Sequence, residues 1–204
     1  MTVYLTVRKM RKSIFAALMT GLVLCSCGGK KSITAQQLAD VLTPCDSMEI
    51  RYAPGIKAGT QAPAIEAPDS TGTMHKLSDF KGDFVFVDFW ASWCGDCRRE
   101  IPEVKAIYDQ YKDVKLGNAS IRFMSVSFDH DGDAWRKMLR KEQFPWLQIG
   151  NTMKKKDDPV NQAYQVNWIP SYFVIAPDGT VLYASVTAAR AAEVMQALDL
   201  WYNK

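Results

Sequence analysis

The chain has 204 residues, 48% of them hydrophobic, which suits one domain of ordinary size with a full core and excludes disorder over most of its length. Its formal charge of +3 misleads: Arg8, Lys9, Arg11 and Lys12 stand without an acid in the first 26 residues, and the remainder holds 21 basic and 22 acidic residues, a net of −1. No basic footprint for nucleic acid survives that subtraction.

The N-terminus reads as a targeting segment. Arg8 to Lys12 form a basic region, and Ile14 to Leu24 an apolar one too short to span a bilayer comfortably. The next residues, Leu24-Cys25-Ser26-Cys27, resemble the bacterial lipobox, with a leucine three places before an acceptor cysteine. Cys27 follows the small Ser26 and fits as acceptor; Cys25 follows Leu24 and fits poorly. Residues 1–26 are therefore expected to be a lipoprotein-type signal peptide, the alternatives being an uncleaved anchor or an ordinary signal peptide. Met10 offers a second start. Acyl chains contribute about 0.8 kcal/mol per buried methylene, so lipid on Cys27 would hold the protein on a membrane surface. The expected location is the bacterial cell envelope, lipid-anchored and facing the periplasm, where cysteines pair or react. Of the five cysteines, Cys45 is left over, and it reads as a partly buried spectator rather than a redox or intermolecular group.

In chain order, residues 27–56 form a tether and a short helical extension. A helix is predicted over Ile33 to Leu42, with Thr34 and Gln37 as a capping box, Ile33 and Leu38 at staple positions, and Pro44 beyond its end. Ala64–Ala67 and Thr73–His75 form a hairpin across the Asp69–Gly72 turn, and Ser78 to Gly82 is a polar break. Phe84 to Phe89 is a nearly continuous apolar run, as in a strand covered on both faces. A helix from near Cys94 carries Ile101, Val104, Ile107, Tyr108 and Tyr111 on one stripe, with Pro102 expected to kink it. Ile121 to Phe128 is a second buried strand, and Ala134 to Lys141 a helix with Trp135, Met138 and Leu139 inward. Trp146 to Ile149 is a short strand and Asp157 to Tyr164 a helix with Pro159 in its first turn. Tyr172–Ala176 and Val181–Ser185 flank the turn Pro177–Thr180, and a helix over Ala188 to Trp201 closes the chain. The order is βαβ followed by ββα around one sheet.

Between the apolar run and its helix lies Trp93-Cys94-Gly95-Asp96-Cys97. Two cysteines separated by two residues at a helix start are a redox arrangement. A zinc site needs about four ligands, and beyond this pair the mature chain offers only Cys45, His75 and His130, without paired spacing. A purely structural bridge would close a very small loop and gain little. Asp129-His130-Asp131-Gly132-Asp133 has some look of a calcium loop, but Arg140 stands where the twelfth-position glutamate belongs. No metal or cofactor is expected. Lys154-Lys155-Lys156 reads as a solvated turn.

The stretch Val87 to Pro102 resembles the active-site signature of the thioredoxin superfamily. Gly59 to Pro63 with Leu77 to Gly82, then Ser125 to Asp129, then Trp168-Ile169-Pro170-Ser171 with Asp178-Gly179, extend the likeness to its TlpA/ResA branch. The resemblance implies an α/β, thioredoxin-like fold over residues 57–204, with a central mixed β-sheet flanked by helices and an N-terminal extension. It implies an envelope thiol–disulfide oxidoreductase exchanging a Cys94–Cys97 dithiol or disulfide with exported proteins, as a reductase recycled by a membrane redox donor.

At a helix start Cys94 is the expected attacking thiolate, and Cys97 resolves the mixed disulfide. In the family pattern Asp88 is a buried acid that exchanges protons with Cys97 through water; the bland alternative is a strand residue pointing outward. The resemblance also implies a cis bond at Pro170, with Ile169 pairing a substrate backbone and Trp93 forming an apolar lip. Trp90 and Trp168 read as core, though Trp168 could border the groove. Many relatives carry proline where Asp96 stands, and a carboxylate there disfavours the Cys94 thiolate while favouring the helix start. Arg98 and Arg99 oppose the first effect. The competing functions are a peroxiredoxin-like thiol peroxidase, against which the Pro-x-x-x-Thr-x-x-Cys spacing is missing, and a non-catalytic surface lipoprotein.

Overall fold

A computed structural model of the chain describes residues 33–42, 51–52 and 54–203. The expected signal peptide, Cys27, the first part of the tether and Cys45 lie outside the described residues. Among the described residues no helix is long and apolar enough to cross a membrane.

Helix α1 spans Ala35–Val41. Its capping box forms as predicted: Gln37 N donates to Thr34 Oγ1 at 3.2 Å and Thr34 N donates to Gln37 Oε1 at 2.9 Å. The staple residues Ile33 and Leu38 are buried in a shared core with Phe84 and Val194, so the extension is packed onto the domain. Strands β1 (Glu66–Pro68) and β2 (Met74–Lys76) pair as an antiparallel hairpin. The expected polar break after them is a short 3₁₀ turn at Leu77–Phe80, because Asp79 accepts from Lys76 N at 2.9 Å and tightens the chain.

The main sheet holds β3 (Phe84–Trp90), β4 (Lys115–Leu116), β5 (Ala119–Ser127), β6 (Leu147–Gly150), β7 (Ser171–Ile175) and β8 (Val181–Ser185). Its order is β4-β5-β3-β7-β8, with β6 also pairing β5. Strand β3 runs parallel to β5 and antiparallel to β7, so the sheet is mixed and β3 is interior. Four helices complete the domain: α2 (Gly95–Tyr111), α3 (Gly132–Glu142), α4 (Pro159–Tyr164) and α5 (Ala188–Asn203). Helix α2 continues through Pro102.

All seven residues of β3 are buried. Alternation along the strand divides them. Val85, Val87 and Phe89 join Phe128, Trp135, Tyr164 and Phe173 on one side. Phe84 and Phe86 join Val104 and Ile107 of α2 and Val194 and Leu198 of α5 on the other. Strand β3 therefore has no outward face. Its last residue leads directly into the turn that carries the two cysteines.

A candidate redox-active site

Cys94 is the N-cap of α2, and the N–H of Cys97 points at its Sγ from 3.1 Å. Free N–H groups and the dipole of a 17-residue helix meet at that sulfur, which favours negative charge there. Cys94 and Cys97 are joined in a disulfide, so the structure holds the oxidised state. Cys94 Sγ lies 3.6 Å from the carbonyl oxygen of Ile169, and the Ile169–Pro170 peptide is cis. Trp93 is 52% exposed beside the disulfide, whereas Trp90 is buried and packs on Phe144. Trp168 is half-buried and packs at a tilt on Tyr52 with ring centroids 4.4 Å apart.

Asp88 is 7% exposed, because the even-numbered face of β3 is covered by α2. The outward-pointing alternative has no place in an interior strand. Register sets its neighbours: Ser125 stands opposite on β5 and Tyr172 opposite on β7. Ser125 Oγ donates to Asp88 Oδ2 at 3.1 Å, while Oδ1 is buried without a hydrogen-bond partner among the described residues. Burial pushes the carboxyl up to about 7; the Ser125 bond opposes the shift, and the nearby Glu100 carboxylate adds to it. Asp88 and Cys97 both line a cavity of about 10 Å³, closed by Trp90, Ile101 and Phe144. That is room for one water.

Three comparisons bear on this geometry. The family model described as "Thioredoxin-like" matches residues 82–181. The "Thioredoxin-like protein YneN" of Bacillus subtilis is 30% identical over 72% of this chain and 81% of that protein. The chain belongs to the thioredoxin-like family. The "Thiol-disulfide oxidoreductase ResA" of Geobacillus kaustophilus is 32% identical, covering 62% of this chain and 67% of that protein. Among solved structures, the thioredoxin domain of a thiol-disulfide oxidoreductase from Bacteroides vulgatus matches with a TM-score of 0.62 and 27% identity, over 70% of this chain and 97% of that one. This thioredoxin-like chain is a thiol–disulfide oxidoreductase.

Several residues of the motif stretches have contacts at the thioredoxin-like site that the sequence does not assign. Glu100, one turn beyond Cys97, accepts from Tyr172 Oη at 2.8 Å and from Ala188 N at 2.9 Å. Partial burial raises its pKa, and those two donors oppose the shift. Its spacing of three from Cys97 was an available signal. Asp129 is buried and clamps the turn before Cys94: Ser92 donates to it from N at 2.8 Å and from Oγ at 2.6 Å, and Ser127 Oγ donates at 2.7 Å. Arg98 Nη1 donates to the Ser92 carbonyl at 2.7 Å, so Ser92 is held on every polar atom.

The acidic run after β5 is thus built from structural groups. Asp129 holds Ser92, and Asp131 caps α3 by accepting from Asp133 N and Ala134 N at 2.9 and 3.1 Å. Among the described residues no three His, Cys, Asp or Glu converge on one point. Asp96 pairs with Arg99, one turn along α2, on the exposed side of the helix. Lys155 departs from the solvated turn expected for its run. It is half-buried over the Phe128 ring, donates to the Val166 carbonyl, and has its pKa lowered by that burial.

Proposed function

We propose that this oxidoreductase is a lipid-anchored reductase of the bacterial cell envelope, facing the periplasm, that passes electrons to disulfides of exported proteins. One arrangement carries the redox part: Cys94 at the mouth of α2 beside Ile169 O, bonded to Cys97, which shares a closed cavity with Asp88.

In the reduced form the Cys94 thiolate attacks one sulfur of a substrate disulfide, and the other substrate sulfur leaves as a thiolate. The Ile169 backbone and the flat face of Trp93 hold an extended substrate segment at Cys94. Cys97 gives its proton to Asp88 and attacks Cys94 Sγ. The mixed disulfide breaks, its electron pair leaves on the substrate sulfur, and the Cys94–Cys97 disulfide forms. A membrane redox donor returns two electrons and the protons.

The location rests on the basic, apolar and lipobox-like order of residues 8–27. The direction rests on Asp96. A carboxylate beside Cys94 holds back its thiolate, and a less stabilised dithiol is a better reductant. Arg99, paired with Asp96 on the exposed side of α2, and Arg98 oppose this effect in part.

The test is trapping in envelope fractions with Cys97→Ala, which keeps Cys94 and removes the resolving thiol. Disulfide-linked proteins that vanish in the double Cys94→Ala, Cys97→Ala variant are expected. No Cys94-dependent adduct overturns the reading. Cys27→Ser is expected to abolish palmitate labelling and membrane retention. A reduction potential as oxidising as about −120 mV would reverse the assigned direction.

A further inference from the structure

We propose that Trp146 and Ser125 are positioning residues for the redox step: a two-bond relay that makes Ser125 a committed donor to Asp88 Oδ2 and leaves Oδ1 to take the proton of Cys97. The inference rests on the proton role given to Asp88 above.

The chain of bonds is direct. Trp146 Nε1 donates to Ser125 Oγ at 2.8 Å, and Ser125 Oγ donates to Asp88 Oδ2 at 3.1 Å. An indole N–H is a donor only, whereas a hydroxyl has one hydrogen and two lone pairs. With the indole on one lone pair, the Ser125 hydrogen is directed away from Trp146 and onto the carboxylate. Oδ2 already receives that hydrogen, so a proton arriving at Asp88 is placed on Oδ1. Asp88 and Cys97 line the same cavity, so that oxygen is the one left for the thiol, across the single water the cavity accommodates. Trp146 is itself fixed by ring contacts with Tyr108 and Phe144, whose centroids lie 5.1 and 5.3 Å away.

The titratable groups facing Asp88 are Cys97 and Glu100 from α2 and Tyr172 from β7; β5 presents Ser125. Tyr172 does not compete for Asp88, because its hydroxyl is bonded to Glu100. Ser125 is thus the sole hydrogen-bond donor to this carboxylate among the described residues.

The step can be followed with Ellman's disulfide on the full chain carrying Cys25→Ser, Cys27→Ser and Cys45→Ser. Cys94 attack releases a first thionitrobenzoate. Cys97 attack on the mixed disulfide releases a second, with its proton passing to Asp88. The rate of the second release should rise with pH as Asp88 ionises. Asp88→Asn is expected to remove that rise and leave only the later one from direct ionisation of Cys97. Ser125→Ala removes a hydrogen bond to a charge and should move the rise about one pH unit upward. Ser125→Thr, which keeps a hydroxyl, should restore it. Trp146→Phe should move it upward by less, with the first release unchanged as a check on integrity. If Asp88→Asn leaves the rise in place, the proton role of Asp88 fails. If Asp88→Asn removes it but Ser125→Ala does not shift it, the relay alone is overturned. A shift with Ser125→Ala and none with Trp146→Phe overturns the part given to Trp146.

Discussion

Asp88 carries a pH-dependent consequence for stability that falls in the acid-to-neutral range. In the folded, oxidised chain its pKa is raised from 3.8 to about 7 by burial. The folded state therefore holds this proton more tightly than the unfolded one. Between those two values folding binds a proton, so stability falls as pH rises and then levels off above the folded pKa. The accumulated penalty is on the order of 4 kcal/mol. Asp88→Asn stays neutral throughout. In urea titrations of the oxidised protein, the variant should gain on the parent steadily from about pH 4 to about pH 7 and by a constant amount beyond. A difference independent of pH would contradict the burial of an ionisable group here. The two cysteines were legible because their signal is local: a spacing of three at a helix start. The environment of Asp88 was not. Ser125 lies 37 residues away, Tyr172 lies opposite only through strand register, and Trp146 reaches Ser125 from the segment before β6. No periodicity within one element encodes those meetings.

At the scale of elements, the apolar run of β3, the α2 stripe and the α1 capping box could be read because each repeats a physical period or a capping pattern over several residues. Strand β4 could not, since two residues, Lys115 and Leu116, make no period. It exists because the turn at Gly117, with φ of +63°, folds the chain back so that Leu116 pairs Ala119. Helix α1 is seven residues long, too short to persist alone in water. Its persistence comes from docking, chiefly through the fully buried Leu38. Leu38→Ala should cost about 2–5 kcal/mol and Thr34→Ala about 1 kcal/mol by chemical denaturation. A negligible loss with Leu38→Ala would mean that α1 is not part of the cooperative fold.

Across the whole molecule, the two ends of the described chain meet. Ile33 N donates to Tyr202 Oη at 3.2 Å, and the Tyr202 ring meets Phe84 edge-on at 5.4 Å. Asn203 Nδ2 donates to the Lys115 carbonyl at 2.9 Å, tying the C-terminal turn to β4 as well. Tyr202→Ala should therefore speed hydrogen exchange at α1 amides far more than at β3 amides, whose bonds lie inside the sheet. Equal acceleration of both would show that the ends are not separately latched. This closure also makes the two ends of the described chain depend on each other. Strand β3 needs β7 for its second neighbour, and α1 needs α5, the last described element, so both contacts close long loops. A chain clipped before α5 leaves Leu38, Phe84 and Phe86 without the apolar face that covers them. Loss of α5 is therefore expected to release α1 as well, so a cut near one end of the described chain is felt at the other.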